Sequence, residues 1–165
     1  MEAFLKELPG LANEKYLETK KYFEKMKKRT PKNLDVVMQE LHNKEFEKTD
    51  CLTCGNCCKT TSPIFTEKDI QRISKHLRIK EAMFISQYLE RDQDDFYVLI
   101  TAPCSFLDLN DNMCTIYDVR PKACNEYPHT NRRKFIQLTS LTLKNTAVCP
   151  AVYNIVEELK RKLPL

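Results

Sequence analysis

Glycine is almost absent from this chain. Gly10 and Gly55 are the only two, and there is no tryptophan. Two isolated glycines cannot form the glycine-rich loop that cradles phosphates, which removes most nucleotide-binding readings. No apolar run approaches the roughly 18 residues that a membrane-crossing helix requires. The opening residues, Met1-Glu2-Ala3-Phe4-Leu5-Lys6-Glu7, lack the charged-then-apolar pattern of a secretory signal. The expectation is a cytoplasmic protein with no membrane partner.

What is abundant is cysteine, with eight in 165 residues. In a reducing compartment that number points to metal or redox chemistry ahead of disulfides. Four of the eight fall in Cys51-Leu52-Thr53-Cys54-Gly55-Asn56-Cys57-Cys58, a C-x2-C-x2-C-C run. Core cysteines scatter along helix or strand periods, whereas these are separated by Thr53, Gly55 and Asn56. Gly55 and Asn56 tolerate left-handed backbone, so the segment can curl until its sulfurs converge. Converging thiolates repel unless a cation lies between them, and the run reads as half of a metal site.

The other half is supplied by Cys104, Cys114, Cys124 and Cys149, each at an expected turn, strand end or short helix. Eight thiols suffice for two sites of four. All-thiolate sites suit zinc or iron, mononuclear or in an iron–sulfur cluster, and not hard cations. Cys51, Cys54 and Cys57 keep the spacing of a ferredoxin run, and Cys149-Pro150 supplies a Cys-Pro dipeptide. The same pairs serve equally as zinc knuckles. Buried free thiols, a disulfide framework and a C-x-x-C oxidoreductase are the competing readings of the same residues.

The formal charge of +4 carries little weight. Ionising eight thiols around two dications brings it to about zero, so it gives no support to nucleic-acid binding. Lys20, Lys21, Lys25, Lys27, Lys28 and Arg29 could meet an acidic protein partner through the N-terminal helices, although a solvated helix face explains them as well. Arg120 and Asp118 stand beside the thiols. The arginine suits a counter-charge and the aspartate a helix cap. His129 reads as a ligand, a proton carrier or a plain loop residue.

Along the chain, Pro9-Gly10 reads as a helix break. Thr30-Pro31 reads as a helix start, followed by an apolar face at Leu34, Val37, Met38 and Leu41. His42 is expected at the surface. Thr66 should cap a helix running to about Leu77, and Ile79–Leu89 a second one. Phe96–Ile100 is the best strand, and Cys104–Leu107 with Cys114–Tyr117 suits a hairpin. Asp118 is placed to cap a helix containing Cys124. Residues 133–144 lean to helix, and Cys149-Pro150 opens a last amphipathic helix. The expected fold is mainly helical α+β. Residues 1–49 form a helical arm packing on the core. Residues 50–165 form a cysteine-rich, metal-bound core with a short β-hairpin.

These motifs together resemble the bacterial CxxCxxCC cysteine-cluster family, the YkgJ-type zinc- or iron-chelating domain. The residues that carry the resemblance are the 51–58 run, Pro103-Cys104-Ser105-Phe106-Leu107, Cys114-Thr115-Ile116-Tyr117, Arg120 to Pro128 and Cys149-Pro150. It covers about residues 50–150 and implies metal chelation through these cysteines. Flagellin lysine methylases are similar at greater distance, and the lack of a glycine-rich loop for a methyl donor makes methyl transfer a weak extension of that likeness. Three roles follow as expectations: a structural zinc module, an iron–sulfur enzyme or electron carrier, and metal storage or delivery. No catalytic residue is assigned.

Overall fold

A computed structural model describes residues 2–165. The chain divides into two compact units, one made of residues up to Asp50 together with Pro128–Leu165, the other of Cys51–Tyr127. Mainly helical α+β is the architecture observed, with one small antiparallel sheet.

The helical unit contains α1 (Glu2–Lys28) and α2 (Leu34–Phe46), then α8 (Thr139–Asn145) and α9 (Pro150–Lys162). Helix α9 lies against α1, α2 and α8. Its inward residues are those the 3.6-residue period selects, with Val152, Ile155, Val156 and Leu159 almost completely buried. Each contributes roughly 1.5–3 kcal/mol of transfer free energy. Leu8, Met26, Met38 and Phe135 complete this core. Pro150 begins α9 at the position where its missing N–H costs nothing.

Three local expectations fail in this unit. Pro9-Gly10 does not interrupt α1, which runs straight through it. Leu8 and Ala12 are buried on either side of the dipeptide, and their packing outweighs the one hydrogen bond that proline removes. Thr30 caps nothing. Its hydroxyl donates back to the Met26 carbonyl at 3.2 Å, closing α1, and α2 starts only after Asn33. His42 is not a surface residue but half-buried, with Nδ1 2.8 Å from Thr130 Oγ1 and its ring 4.5 Å from that of Phe46. Residues 133–144 do turn helical, as a 3-10 turn over Phe135–Leu138 leading into α8. Asp35 fixes the entry by accepting the Lys134 and Phe135 amides at 2.7 and 3.0 Å.

The cysteine unit contains α3 (Cys51–Cys54), α4 (Asn56–Thr60), α5 (Glu67–Leu77), α6 (Glu81–Tyr88), strands β1 (Leu89–Arg91) and β2 (Tyr97–Leu99), and α7 (Lys122–Glu126). Thr66 caps α5 as expected. Its hydroxyl receives the Asp69 amide, and the Asp69 carboxylate receives the Thr66 amide in return. The strand foreseen at 96–100 is β2, but its partner is β1. Leu89 pairs with Leu99 and Arg91 with Tyr97. The 104–107 and 114–117 segments meet in one bridge, Leu107 to Cys114, with no extended ladder. A core of Phe65, Ile70, Ile73, Phe84, Phe106 and Ile116 fills the unit, and Cys104 and Cys114 pack against it. Phe84 and Phe106 stack with centroids 6.1 Å apart.

Candidate metal centre

The C-x2-C-x2-C-C run is two short helices joined at Gly55. That residue has φ +57°, a left-handed conformation that glycine adopts without strain. The turn is also crowded. A Cβ on Gly55 would lie 3.1 Å from that of Asn112, whose Nδ2 donates to the Thr53 carbonyl at 3.2 Å. The curl therefore needs both the φ and the absent side chain of Gly55. Asn56 lies inside α4 with ordinary helical geometry. Cys51 is exposed, Cys54 buried, and Cys57 and Cys58 half-buried with their sulfurs 4.0 Å apart.

Cys104 is tied to this run by its backbone. Its amide donates to the Cys58 carbonyl at 2.8 Å, directly after a cis Ala102-Pro103 bond. The chain then turns, with Thr115 N–H donating to Phe106 O and Asp108 N–H to Met113 O, both at 2.8 Å, and this turn returns Cys114 beside Leu107. The backbone amides of Phe106 and Leu107 point at the Cys104 sulfur and that of Ile116 at the Cys114 sulfur, favouring the thiolate in each case.

Cys124 is placed by a device absent from the sequence expectations. Asp69, 1% exposed, accepts the Lys122 amide at 3.0 Å and the Arg72 guanidinium at 2.8 Å. Arg72 then donates to the carbonyls of Val119 and Arg120. One buried carboxylate thus joins the start of α5 to the start of the helix that carries Cys124. Asp118 is not the cap of that helix. It sits exposed in a 3-10 turn over Tyr117–Val119, and Pro121 holds the cap position. In the sequence only Thr66 marked the start of α5, and nothing there marked the reach of Asp69 to Lys122.

Four thiols, Cys58, Cys104, Cys114 and Cys124, share one electrostatic neighbourhood. Burial pushes Cys104 up to about 11, and charge on Cys58 or Cys114 raises it further. Burial pushes Cys124 up to about 12, with charges on Cys58, Cys104 and Cys114 adding to the rise. Cys114 is raised for the same reasons. Cys58 goes the other way, down to about 7, because the Cys57 thiol hydrogen-bonds to it, and Lys59 assists against the opposing effect of burial. Arg120 lowers Cys114 and Cys124 by its charge. Its guanidinium is held by Tyr117 O at 2.6 Å and Asn125 Oδ1 at 2.7 Å, and lies 3.9 Å from the centre of the Tyr117 ring. The charge of Arg120 thus acts on these thiols in the sense a counter-charge would.

The sulfurs do not close on a point. Among the described residues, no three Cys, His, Asp or Glu side chains are gathered into a group able to hold a metal ion. The donor chemistry nevertheless fits a soft or borderline metal. These thiols raise one another's proton affinity, and a cation removes that conflict. Cys149 and His129 belong to the helical unit. Cys149 is buried just ahead of α9, and His129 takes a left-handed φ of +65°.

Half-buried thiols in a shared neighbourhood, with backbone amides directed at Cys104 and Cys114 and the charge of Arg120 favouring ionisation, suit a cysteine-rich metal-binding domain. Residues 50–149 match the model of the CxxCxxCC family, described as "Putative zinc- or iron-chelating domain", and the chain belongs to that family. Metal binding, of zinc or iron, is the character that membership gives it. No solved structure matches the chain. No helix among the described residues is long and apolar enough to cross a membrane.

Proposed function

We propose that this protein chelates zinc or iron through its cysteines, and that Cys58, Cys104, Cys114 and Cys124 form one ligand set within the 51–127 unit. The observation that carries this reading is the mutual electrostatic coupling of these four thiols inside one compact unit. Four thiolates on one ion leave no open position for water, so the metal would hold the fold together and activate no substrate. Cys51, Cys54 and Cys57 are further ligands supplied by the motif, and Cys149 is assigned by its place in the cysteine pattern. Among the described residues the cysteines form no disulfide, which suits a reducing, cytoplasmic setting.

The residues divide the work. Gly55 sets the curl that presents Cys57 and Cys58, while Asp69 and Arg72 seat the helix of Cys124. The amides of Phe106, Leu107 and Ile116, with the charge of Arg120, stabilise thiolate over thiol. When bound, the metal supplies the positive charge that lets the four thiols remain ionised together. Metal and acid-labile sulfide per chain, measured on anaerobically purified protein, test the reading. Zinc or iron at one or more per chain supports it, and sulfide matching the iron moves it to an iron–sulfur carrier or enzyme. A chain with neither metal at a useful ratio is a thiol protein.

A further inference from the structure

A cleft of about 360 Å³ opens in the cysteine unit, walled by Lys68 and Arg72 of α5 and by Arg120 and Lys122 where α7 begins. Four cations face two carboxylates there, Asp69 and Asp118. Asp69 is already committed to Arg72, to Thr66 and to the Lys122 amide. Arg120 donates to two neutral acceptors, the Tyr117 carbonyl and the Asn125 amide oxygen. Among the described residues, neither Arg120 nor Lys68 forms an ion pair with a carboxylate. The Lys122 ammonium reaches Glu126 only at 3.6 Å, with its own side chain 68% exposed. The cleft therefore carries more positive than negative charge, with the charge of Arg120 also acting on Cys114 and Cys124.

Its walls are also fixed. Arg72 is pinned by Asp69 and by the carbonyls of Val119 and Arg120, while Arg120 is held between Tyr117 and Asn125. Guanidinium groups held in place beside two ammonium groups suit a tetrahedral oxyanion, which accepts several charge-assisted hydrogen bonds at once. Little side-chain ordering remains to be done on binding.

We propose that this cleft binds a small oxyanion of the phosphate class, either free phosphate or the phosphoryl group of a small phosphomonoester. The site contains no cysteine and does not rest on the metal reading.

The test is an amide and guanidinium NMR titration of the full chain at fixed ionic strength. Inorganic phosphate, glycerol phosphate and chloride are compared, for the wild type and for a Lys68→Ala/Lys122→Ala variant. Those two side chains lie outside the Asp69 hydrogen-bond network, so the variant keeps the fold. Saturable shifts at Arg72, Arg120 and Asn125, weakened by at least about tenfold in the variant, are expected. Tighter binding of the ester identifies a phosphorylated small molecule as the ligand, and equal binding identifies free phosphate. Shifts that fail to saturate, that chloride reproduces, or that the variant leaves unchanged overturn the proposal.

Discussion

The carboxylate of Asp69 accepts the backbone amide of Lys122 at 3.0 Å, across 53 residues of chain. The contact joins the first turn of one helix to the first residue of another, and two residues further on lies Cys124. A buried acid thereby governs where a thiol stands without touching it. Substituting Asp69→Ala strands the amides of Thr66 and Lys122 and leaves Arg72 without its carboxylate. Loss of such a buried, multiply bonded charge costs roughly 2–4 kcal/mol. A urea melt of the metal-free chain reads this directly. Metal affinity should fall in the same variant although every cysteine is retained.

Gly55→Ala tests the curl of the cysteine run. Alanine at φ +57° is strained, and its Cβ would crowd Asn112 at 3.1 Å. The expected loss is about 1–2 kcal/mol. Adding Asn112→Gly, which removes that Cβ and suits the left-handed φ of +61° at position 112, should recover only the crowding part of that loss, since the backbone strain at position 55 remains. Thermal melts of the two single variants and the double variant separate the contributions.

The legible parts of this molecule were those written in local chemistry. Thr66 ahead of an acidic first turn spells a helix cap, and Val152, Ile155, Val156 and Leu159 spell the buried face of a helix. Both stand in the structure. Phe96–Ile100 contained a strand because β-branched and aromatic residues fit a pleated surface. Its partner was missed because Leu89–Arg91 reads as the tail of the preceding helix, and only pairing with β2 extends it. Thr30-Pro31 misled because a threonine hydroxyl can close the helix behind it as readily as open the one ahead. The eight cysteines announced themselves by type and spacing. Sequence spacing carried no trace of which four would share a neighbourhood, because that depends on Asp69 and on the turn between Leu107 and Cys114.

Two pH responses follow, one from the raised thiols and one from Asp69. In the folded, metal-free chain Cys104 and Cys124 lie near 11 and 12, against an ordinary 9.0. The stability this represents is complete below the ordinary value and is lost as pH rises through the folded values. Asp69, held below its ordinary 3.8 by Thr66, Arg72 and the Lys122 amide in spite of burial, acts in the opposite sense. Its contribution is present above 3.8 and is lost as pH falls through its depressed value. Urea midpoints of the metal-free chain should therefore drop at both ends of the pH range.

Loading metal at neutral pH must strip protons from Cys104, Cys114 and Cys124. Cys58, near 7, is partly ionised already. Calorimetry in buffers of different ionisation enthalpy should count about three protons released per ion at this set. Affinity should weaken steeply on acidification. A count near zero would place the metal elsewhere.

Chelation by sulfur is read from the X-ray absorption spectrum at the metal edge of the loaded chain. Four sulfur neighbours at about 2.3 Å are expected when zinc is bound, with no oxygen or nitrogen in the shell. A shell dominated by light atoms at about 2.0–2.1 Å would contradict it, since the histidines and carboxylates, and not these thiols, would then hold the metal.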